Sequence, residues 1–263
     1  MSPAEFAARA LRTDVGSLTA IEPIKHGLTN DSWLVRFGAE AVVVRISNPA
    51  SDRLQIDRAS EAVILDIAGS MGIGAPVLFC DPRQRVLVTR YLGLHWSEAD
   101  AQQPDNIAQL GAIFRKLHSI RPPAGVRRVA LLNVVEEYLA VLTKHSVTYD
   151  ACLAVGARLL ADLLDQGEVC LCHNDVHRLN IVDDGSLRLI DWEYAGVGSP
   201  LFDIASVCVY HGYEATQRDA LLAAYARPEI ASPSLLVQAC ELFDYIRGLW
   251  LRVRELDLPE AVR

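Results

Sequence analysis

The sequence predicts an α+β fold: a β-rich N-terminal lobe over residues 1–91, then a larger, mostly helical lobe over residues 92–263. Short β-branched runs broken by Gly, Pro and Asp turns fill the first region, the mark of antiparallel hairpins. Beyond Leu92 the apolar residues recur at helical spacing. The strands expected there flank one polar segment, Cys172–Asn180.

Taken in order, Pro3–Leu11 reads as a short Ala-rich amphipathic helix. Lys25–Ser32 is turn-rich and lies between apolar runs, after which Trp33–Phe37 and Ala41–Ile46 read as paired strands joined by Gly38-Ala39-Glu40. Asp57–Ile67 carries Ala59, Ala62, Val63, Leu65 and Ile67 at helical spacing and ends at Gly72-Ile73-Gly74. Val77–Cys80 and Arg85–Thr89 form a second hairpin around Asp81-Pro82-Arg83-Gln84. In the second lobe, Ile107–Ile120 stops before Pro122-Pro123. Val134–Leu142, Ala151–Leu164, Ala215–Tyr225 and Leu235–Leu256 are further helices. Asp183-Asp184-Gly185-Ser186 is a hairpin turn between Ile181-Val182 and Leu187–Ile190.

Composition narrows the classes of function. With 263 residues, 51% hydrophobic, the chain can bury a large core. A net charge of -8 leaves no basic face to displace counterions from a phosphate backbone, so nucleic acid is not an expected partner. The N-terminus lacks a basic stretch followed by an apolar core, and no apolar run approaches the ~20 residues of a membrane span. The expectation is a cytoplasmic protein. Cys80, Cys152, Cys208 and Cys240 stand among apolar neighbours and read as core residues. Cys170 and Cys172, one residue apart on one face of a strand, do not match the paired spacing of a zinc site.

The chemistry concentrates in His173-Asn174-Asp175-Val176-His177-Arg178-Leu179-Asn180 and in Asp191, eleven residues beyond Asn180. An acid that accepts a hydroxyl proton, followed by an amide and a second acid that hold Mg2+, is what phosphoryl transfer from ATP requires. Asp175 is the candidate base; Asn180 and Asp191 are the candidate metal ligands. Gly27, Thr29 and Asn30 lie in a turn between strands, where backbone N–H groups can reach phosphate oxygens. Arg45 stands in an apolar strand, where a lone charge is costly, and Glu61 on the following helix is placed to pair with it. Together they are candidates for holding the nucleotide phosphates. His173 is expected to support its loop.

These segments, with Leu189–Ala195 and Pro200–Ala205, resemble the aminoglycoside phosphotransferase and choline kinase superfamily, over residues ~20–255. Gly27–Asn30 and Arg45 resemble its choline, ethanolamine and thiamine kinase branch. The resemblance implies a bilobal protein-kinase-like fold and transfer of the γ-phosphate of Mg-ATP to a small cationic alcohol, choline or ethanolamine first. Thiamine, amino sugars or aminoglycosides are the alternatives, and an inactive kinase-like binding module is the non-enzymatic one. It places the nucleotide against backbone at Thr89–Leu92, with Tyr91 and Leu92 as contacts, and makes Asp203 a brace for the catalytic loop. By the same resemblance Glu193, Tyr194, Tyr210 and Trp250 are candidates for the substrate pocket, with Trp192 and Tyr213 nearby. Arg247 replaces the first of two tryptophans in the matching segment.

Overall fold

The computed structural model describes residues 1–24, 30–48, 56–122 and 124–256. The chain forms two compact units. The first contains Met1–His95 and Asn180–Tyr194; the second contains Trp96–Leu179 and the described residues from Ala195 onward. The α+β class is the one expected, with an antiparallel sheet in the first unit and a helical second unit.

In the first unit, helix α1 spans Pro3–Leu11. Ser2 and Glu5 close a capping box, each side chain accepting from the other's backbone N–H, so two otherwise orphaned donors are satisfied. Strands β1 (Ala20–Ile24), β2 (Asn30–Phe37), β3 (Glu40–Ser47), β4 (Val77–Asp81) and β5 (Val86–Arg90) form one antiparallel sheet in the order β1-β2-β3-β5-β4. Phe37 pairs with Glu40, so the β2–β3 turn is only Gly38-Ala39. Gly38 takes φ 56°, which a residue without Cβ adopts cheaply. Phe6 and Ala7 of α1 pack on Val35, Val42, Val44, Val86 and Val88, the core on one face of the sheet. Alternation along β3 sends Arg45 to the opposite face. Helix α2 (Arg58–Ser70) reaches it there, starting from an Asp57 cap whose carboxylate accepts the Ala59 and Ser60 N–H groups.

Strands β7 (Ile181–Asp183) and β8 (Leu187–Leu189) make the expected hairpin and belong to this unit. The Leu189 N–H donates to the Ile73 carbonyl at 2.8 Å, and His95 bridges to Val182. At the hairpin base the Ile190 N–H donates to the Asn180 carbonyl at 2.9 Å.

The second unit is built from α3 (Glu98–Ala101), α4 (Pro104–His118), α5 (Leu131–Lys144), α6 (Ala151–Asp165), α7 (Pro200–His211), α8 (Ala215–Tyr225) and α9 (Pro233–Glu255). Strand β6 (Cys170–Cys172) pairs antiparallel with β9 (Gly196–Gly198). Helix α4 buries Ile107, Leu110, Phe114 and Leu117. A Cβ at its Gly111 would stand 2.6 Å from Ala224 Cβ and 2.7 Å from the Leu221 carbonyl, so glycine is what lets α4 lie against α8. Among the described residues no helix is long and apolar enough to cross a membrane.

One expectation about cysteines fails. Cys208 and Cys240 are buried, but Cys80 is half-buried and Cys152 is exposed on α6. The apolar neighbours that suggested a core position, Leu153 and Val155, are themselves exposed.

Candidate active site

Of the sequence-predicted residues of the first unit, Asn30, Arg45, Glu61, Asp191 and Glu193 lie in one largely buried ionic network. Arg45 Nη2 donates to Glu61 Oε1 at 2.6 Å, and Nη1 donates to Asp191 Oδ1 at 3.0 Å. Arg58, one helical turn before Glu61, donates through Nη1 to Glu61 Oε2 at 2.8 Å and through Nη2 to Glu193 Oε2 at 3.0 Å. Asn30, the first residue of β2, accepts from Arg58 Nη2 at 3.0 Å and donates to Glu193 Oε2 at 2.7 Å. Sequence reasoning missed Arg58. Its i,i+3 spacing from Glu61 on a predicted helix was the available signal.

Burial makes this network demanding. Glu61 is 3% exposed. Burial alone would raise its pKa, but the Arg45 and Arg58 guanidinium groups draw it below the usual carboxylate range. Desolvation likewise opposes the charge on Arg45, and Glu61, Asp191 and Glu193 outweigh it, so its pKa rises. Asp191 is the exposed member, with 38% of its side chain accessible. It follows directly on the β7–β8 hairpin and takes φ 63°, a left-handed conformation that Asp tolerates better than most residues. Asn180, at the other end of the hairpin, is buried.

Among the remaining candidates in this unit, the Tyr91 N–H extends the ladder to the Ala41 carbonyl at 2.9 Å, and Leu92 begins the loop beyond β5. Tyr194 is half-buried. Trp192 is 1% exposed and donates its indole N–H to the Leu189 carbonyl at 3.0 Å. Gly27 and Thr29 lie outside the described residues.

In the second unit, Asp203 on α7 organises the loop that carries Asp175. Its carboxylate is fully buried and accepts the backbone N–H groups of His173 and Asn174 at 2.8 and 2.5 Å. His118 Nε2 lies 3.0 Å from the same carboxylate, and its Nδ1 lies 3.0 Å from the Tyr225 hydroxyl. Ser206 extends the brace, accepting from the Val176 N–H at 3.3 Å. Asn174 takes φ 66°, the turn that releases Asp175 from the end of β6. His118 was missed because a lone histidine on an apolar helix face carries no spacing signal. It also lies beside Cys170 and Cys172, whose sulfurs are 3.6 Å apart, with all three side chains buried. Both its ring nitrogens already have partners, so this reads as packed core.

Around Asp175, Tyr210 donates its hydroxyl to Oδ1 at 3.1 Å, and His177 Nε2 stands 3.7 Å from Oδ2. The Leu179 N–H donates to His177 Nδ1 at 3.2 Å, so the neutral ring carries its proton on Nε2, toward Asp175. Burial and the Asp175 charge push the Tyr210 phenol well above its usual range, which keeps it a donor. The Arg247 guanidinium lies over the Tyr210 ring, 5.8 Å from its centroid, and its Nη2 donates to Asp244 Oδ1 at 2.6 Å. Trp250 carries Arg254 over its ring at 5.7 Å. Tyr213 is 1% exposed and donates its hydroxyl to the Ala101 carbonyl.

The model of a phosphotransferase enzyme family matches residues 20–236. The chain belongs to that family. Protein LicA of Haemophilus influenzae is 28% identical over 190 residues, covering 69% of this chain and 55% of that protein. Ethanolamine kinase 2 of Rattus norvegicus is 24% identical over 197 residues, covering 69% of this chain and 51% of that one. The chain thus spans about half the length of these curated relatives. The crystal structure of choline kinase LicA from Streptococcus pneumoniae superposes with a TM-score of 0.82 at 19% identity, covering 98% of this chain and 93% of that one, so the two share a fold.

Proposed function

We propose that this phosphotransferase uses ATP and Mg2+ to phosphorylate the hydroxyl of a small cationic alcohol of the ethanolamine or choline kind. The observation that carries the proposal is Arg45, buried in a strand and bound at once to the helix acid Glu61 and to Asp191. A structural ion pair needs one acid; an arginine held by two has its guanidinium fixed in orientation. Its Nε is buried with no hydrogen-bond partner among the described residues, a donor left over for a phosphate oxygen. Arg58 in turn fixes Glu61, so Glu61 and Arg45 are positioned by one another and by α2.

The donor set suits magnesium. Three carboxylates, Glu61, Asp191 and Glu193, face two guanidinium groups, Arg45 and Arg58, so the network carries one excess negative charge. The partly exposed carboxylate is Asp191, and a carboxylate and the Asn180 amide are the hard oxygen donors this ion takes. Bound there, the ion would neutralise charge on the phosphates. Asn30 and the backbone of Gly27 and Thr29 are assigned to the phosphates, and Tyr91 and Leu92 to the nucleotide base.

Asp175 receives the proton of the acceptor hydroxyl. The oxygen forms a bond to the γ-phosphorus as the bond from that phosphorus to the β-bridging oxygen breaks, and ADP leaves. Tyr210 orients the carboxylate through Oδ1, and His177 stands beside Oδ2. Tyr194, Tyr210 and Trp250 are assigned to the acceptor. Glu193, whose carboxylate is held by Arg58 and Asn30, would act on it through those partners.

ATP consumption with choline, ethanolamine, thiamine, amino sugars and aminoglycosides as acceptors tests the assignment. Asp175→Asn should lower kcat by about 10²–10⁴-fold, the usual contribution of a positioned base, with the KM for ATP nearly unchanged. Full activity in that variant would remove Asp175 from the mechanism.

A further inference from the structure

We propose that His177 is a positioning residue for the transfer step. It acts through Asp175, turning an N–H toward Oδ2 so that the carboxylate stays charged and keeps one orientation. This rests on the assignment of Asp175 as the base in the kinase reading above. The groups involved all belong to the second unit.

His177 stands two residues beyond Asp175, and Val176 between them is fully buried. The chain therefore alternates here, and the two polar side chains emerge together, each 22% accessible. Ser206 Oγ lies 3.3 Å from both the nitrogen and the carbonyl oxygen of Val176, which fixes this register against α7. Three contacts then hold the imidazole. The Leu179 N–H donates to Nδ1 at 3.2 Å, which occupies that lone pair and leaves the proton on Nε2. The ring meets Tyr210 at 71°, with centroids 5.0 Å apart. Nε2 lies 3.7 Å from Asp175 Oδ2, while the Tyr210 hydroxyl donates to Oδ1 at 3.1 Å. Asp175 thus has a donor toward each oxygen, from two side chains that pack on one another.

The His177 contact is longer than a formed hydrogen bond. Closing it takes a movement of about 0.5 Å, the kind of tightening catalytic pairs undergo when substrate binds. A donor facing a carboxylate favours its charged form, the form that receives the hydroxyl proton. Each carboxylate oxygen has two lone pairs, so the contact leaves room for that proton. Other charged or titratable groups face the pair from its loop and from the helices around it. They are His173, whose Nδ1 accepts the Asp175 N–H at 3.4 Å, and Arg178, which pairs with Glu98. On α5 the Tyr138 phenol feels the Asp175 charge, and on α9 Arg247 lies over the Tyr210 ring.

Three substitutions separate the parts of this side chain. His177→Gln keeps an N–H near the position of Nε2, His177→Asn keeps an acceptor near that of Nδ1, and His177→Phe keeps a ring against Tyr210. The measurements are kcat and the KM for ATP with ethanolamine and with choline, with phosphorylated product followed by mass spectrometry. In the Asn and Phe variants kcat should fall about tenfold, and in the Gln variant by less, with the KM for ATP unchanged. Loss of the donor raises the pKa of Asp175, so the acid limb of kcat should move up by about half a pH unit in His177→Phe. Added to Asp175→Asn, His177→Phe should cost nothing further, because the carboxylate it acts on is gone. If the Phe variant melts early, the contrast between Gln and Asn carries the same decision. Wild-type kcat in His177→Phe, Asn above Gln, an acid limb that stays or moves down, or a full tenfold loss on top of Asp175→Asn each overturns the proposal and leaves the kinase assignment intact. Turnover unaffected by Asp175→Asn overturns both.

Discussion

Replacing Glu61 with Gln removes one negative charge from beneath two guanidinium groups while keeping the shape of the side chain. In the wild type, Glu61 Oε1 binds Arg45 at 2.6 Å and Oε2 binds Arg58 at 2.8 Å, with the carboxylate 3% exposed. Breaking a buried ion pair by removing one partner costs about 3–5 kcal/mol, because the remaining charge stays buried. Here each arginine keeps a second acid, Asp191 or Glu193, each at 3.0 Å, which places the expected loss near the lower end, about 3 kcal/mol. For a chain of this size that is a fall in Tm of roughly 6–12 °C at neutral pH. The pH dependence carries a second signature. The folded pKa of Glu61 lies below its unfolded value of about 4.3, so its contribution is complete above that pH and is lost as pH falls through the folded pKa. The Tm difference between wild type and Glu61→Gln should therefore hold down to about pH 5 and shrink below pH 4. Differential scanning calorimetry at pH 7.5, 5 and 3.5 measures it, and the KM for ATP should rise in parallel as Arg45 loses its brace. Coincident melting curves at pH 7.5 would refute the claim that this network holds the first unit together.

Two further outcomes follow from the second unit. Gly111→Ala drives a methyl group into Ala224 and the α8 backbone, where no flexible side chain can move aside, and should cost about 1–3 kcal/mol by chemical denaturation; an unchanged midpoint would mean that α4 and α8 are not in close contact. Among the described residues both ring nitrogens of His211 are buried without hydrogen-bond partners, and burial together with the Arg178 charge lowers its pKa to about 4. The unfolded chain takes up that proton near pH 6.5 while the folded one waits until about 4, so acidification across this window favours unfolding and stops doing so below it. His211→Leu should flatten the loss of Tm between pH 7 and 4.5, and a slope equal to that of the wild type would count against the burial of this ring.

Much of the fold could be read from periodicity, and the exceptions have physical causes. Helices α1 and α8 have the predicted bounds, and each opens on a capping box and closes on a left-handed residue. Helix α7 did not emerge from spacing at all. Its residues from Pro200 to Cys208 are buried on every side, and a helix without a polar face has no 3.6-residue contrast. The inclusion of Asn180–Tyr194 in the first unit rests on contacts distant in sequence, among them Leu189 to Ile73 and Val182 to His95, that no local pattern announces. Strand β9 has the same origin: Gly196 and Gly198 are neither β-branched nor alternating, and they serve there because a Cβ at Gly196 would collide with Val129. At the site, Arg45 and Glu61 could be paired from the cost of a lone buried charge. The joining of Glu193 to Arg58 and Asn30 could not, since Glu193 beside two aromatics reads equally well as a pocket residue.

The backbone at Asn174 and Asp191 limits this chain in a manner separate from its chemistry. Both residues hold a positive φ, at 66° and 63°. For most side chains that conformation costs roughly 1–2 kcal/mol, and it is borne readily only by Gly, Asn and Asp. A β-branched residue at either place would have to unwind the turn before any question of proton or metal arose. The set of residues tolerated at these two positions is therefore narrowed by conformation, and at 191 a second time by the metal role proposed above. A glycine at 191 would satisfy the first filter and fail the second, giving a protein that folds with less backbone strain than its parent and has lost the acid on which the turn is built.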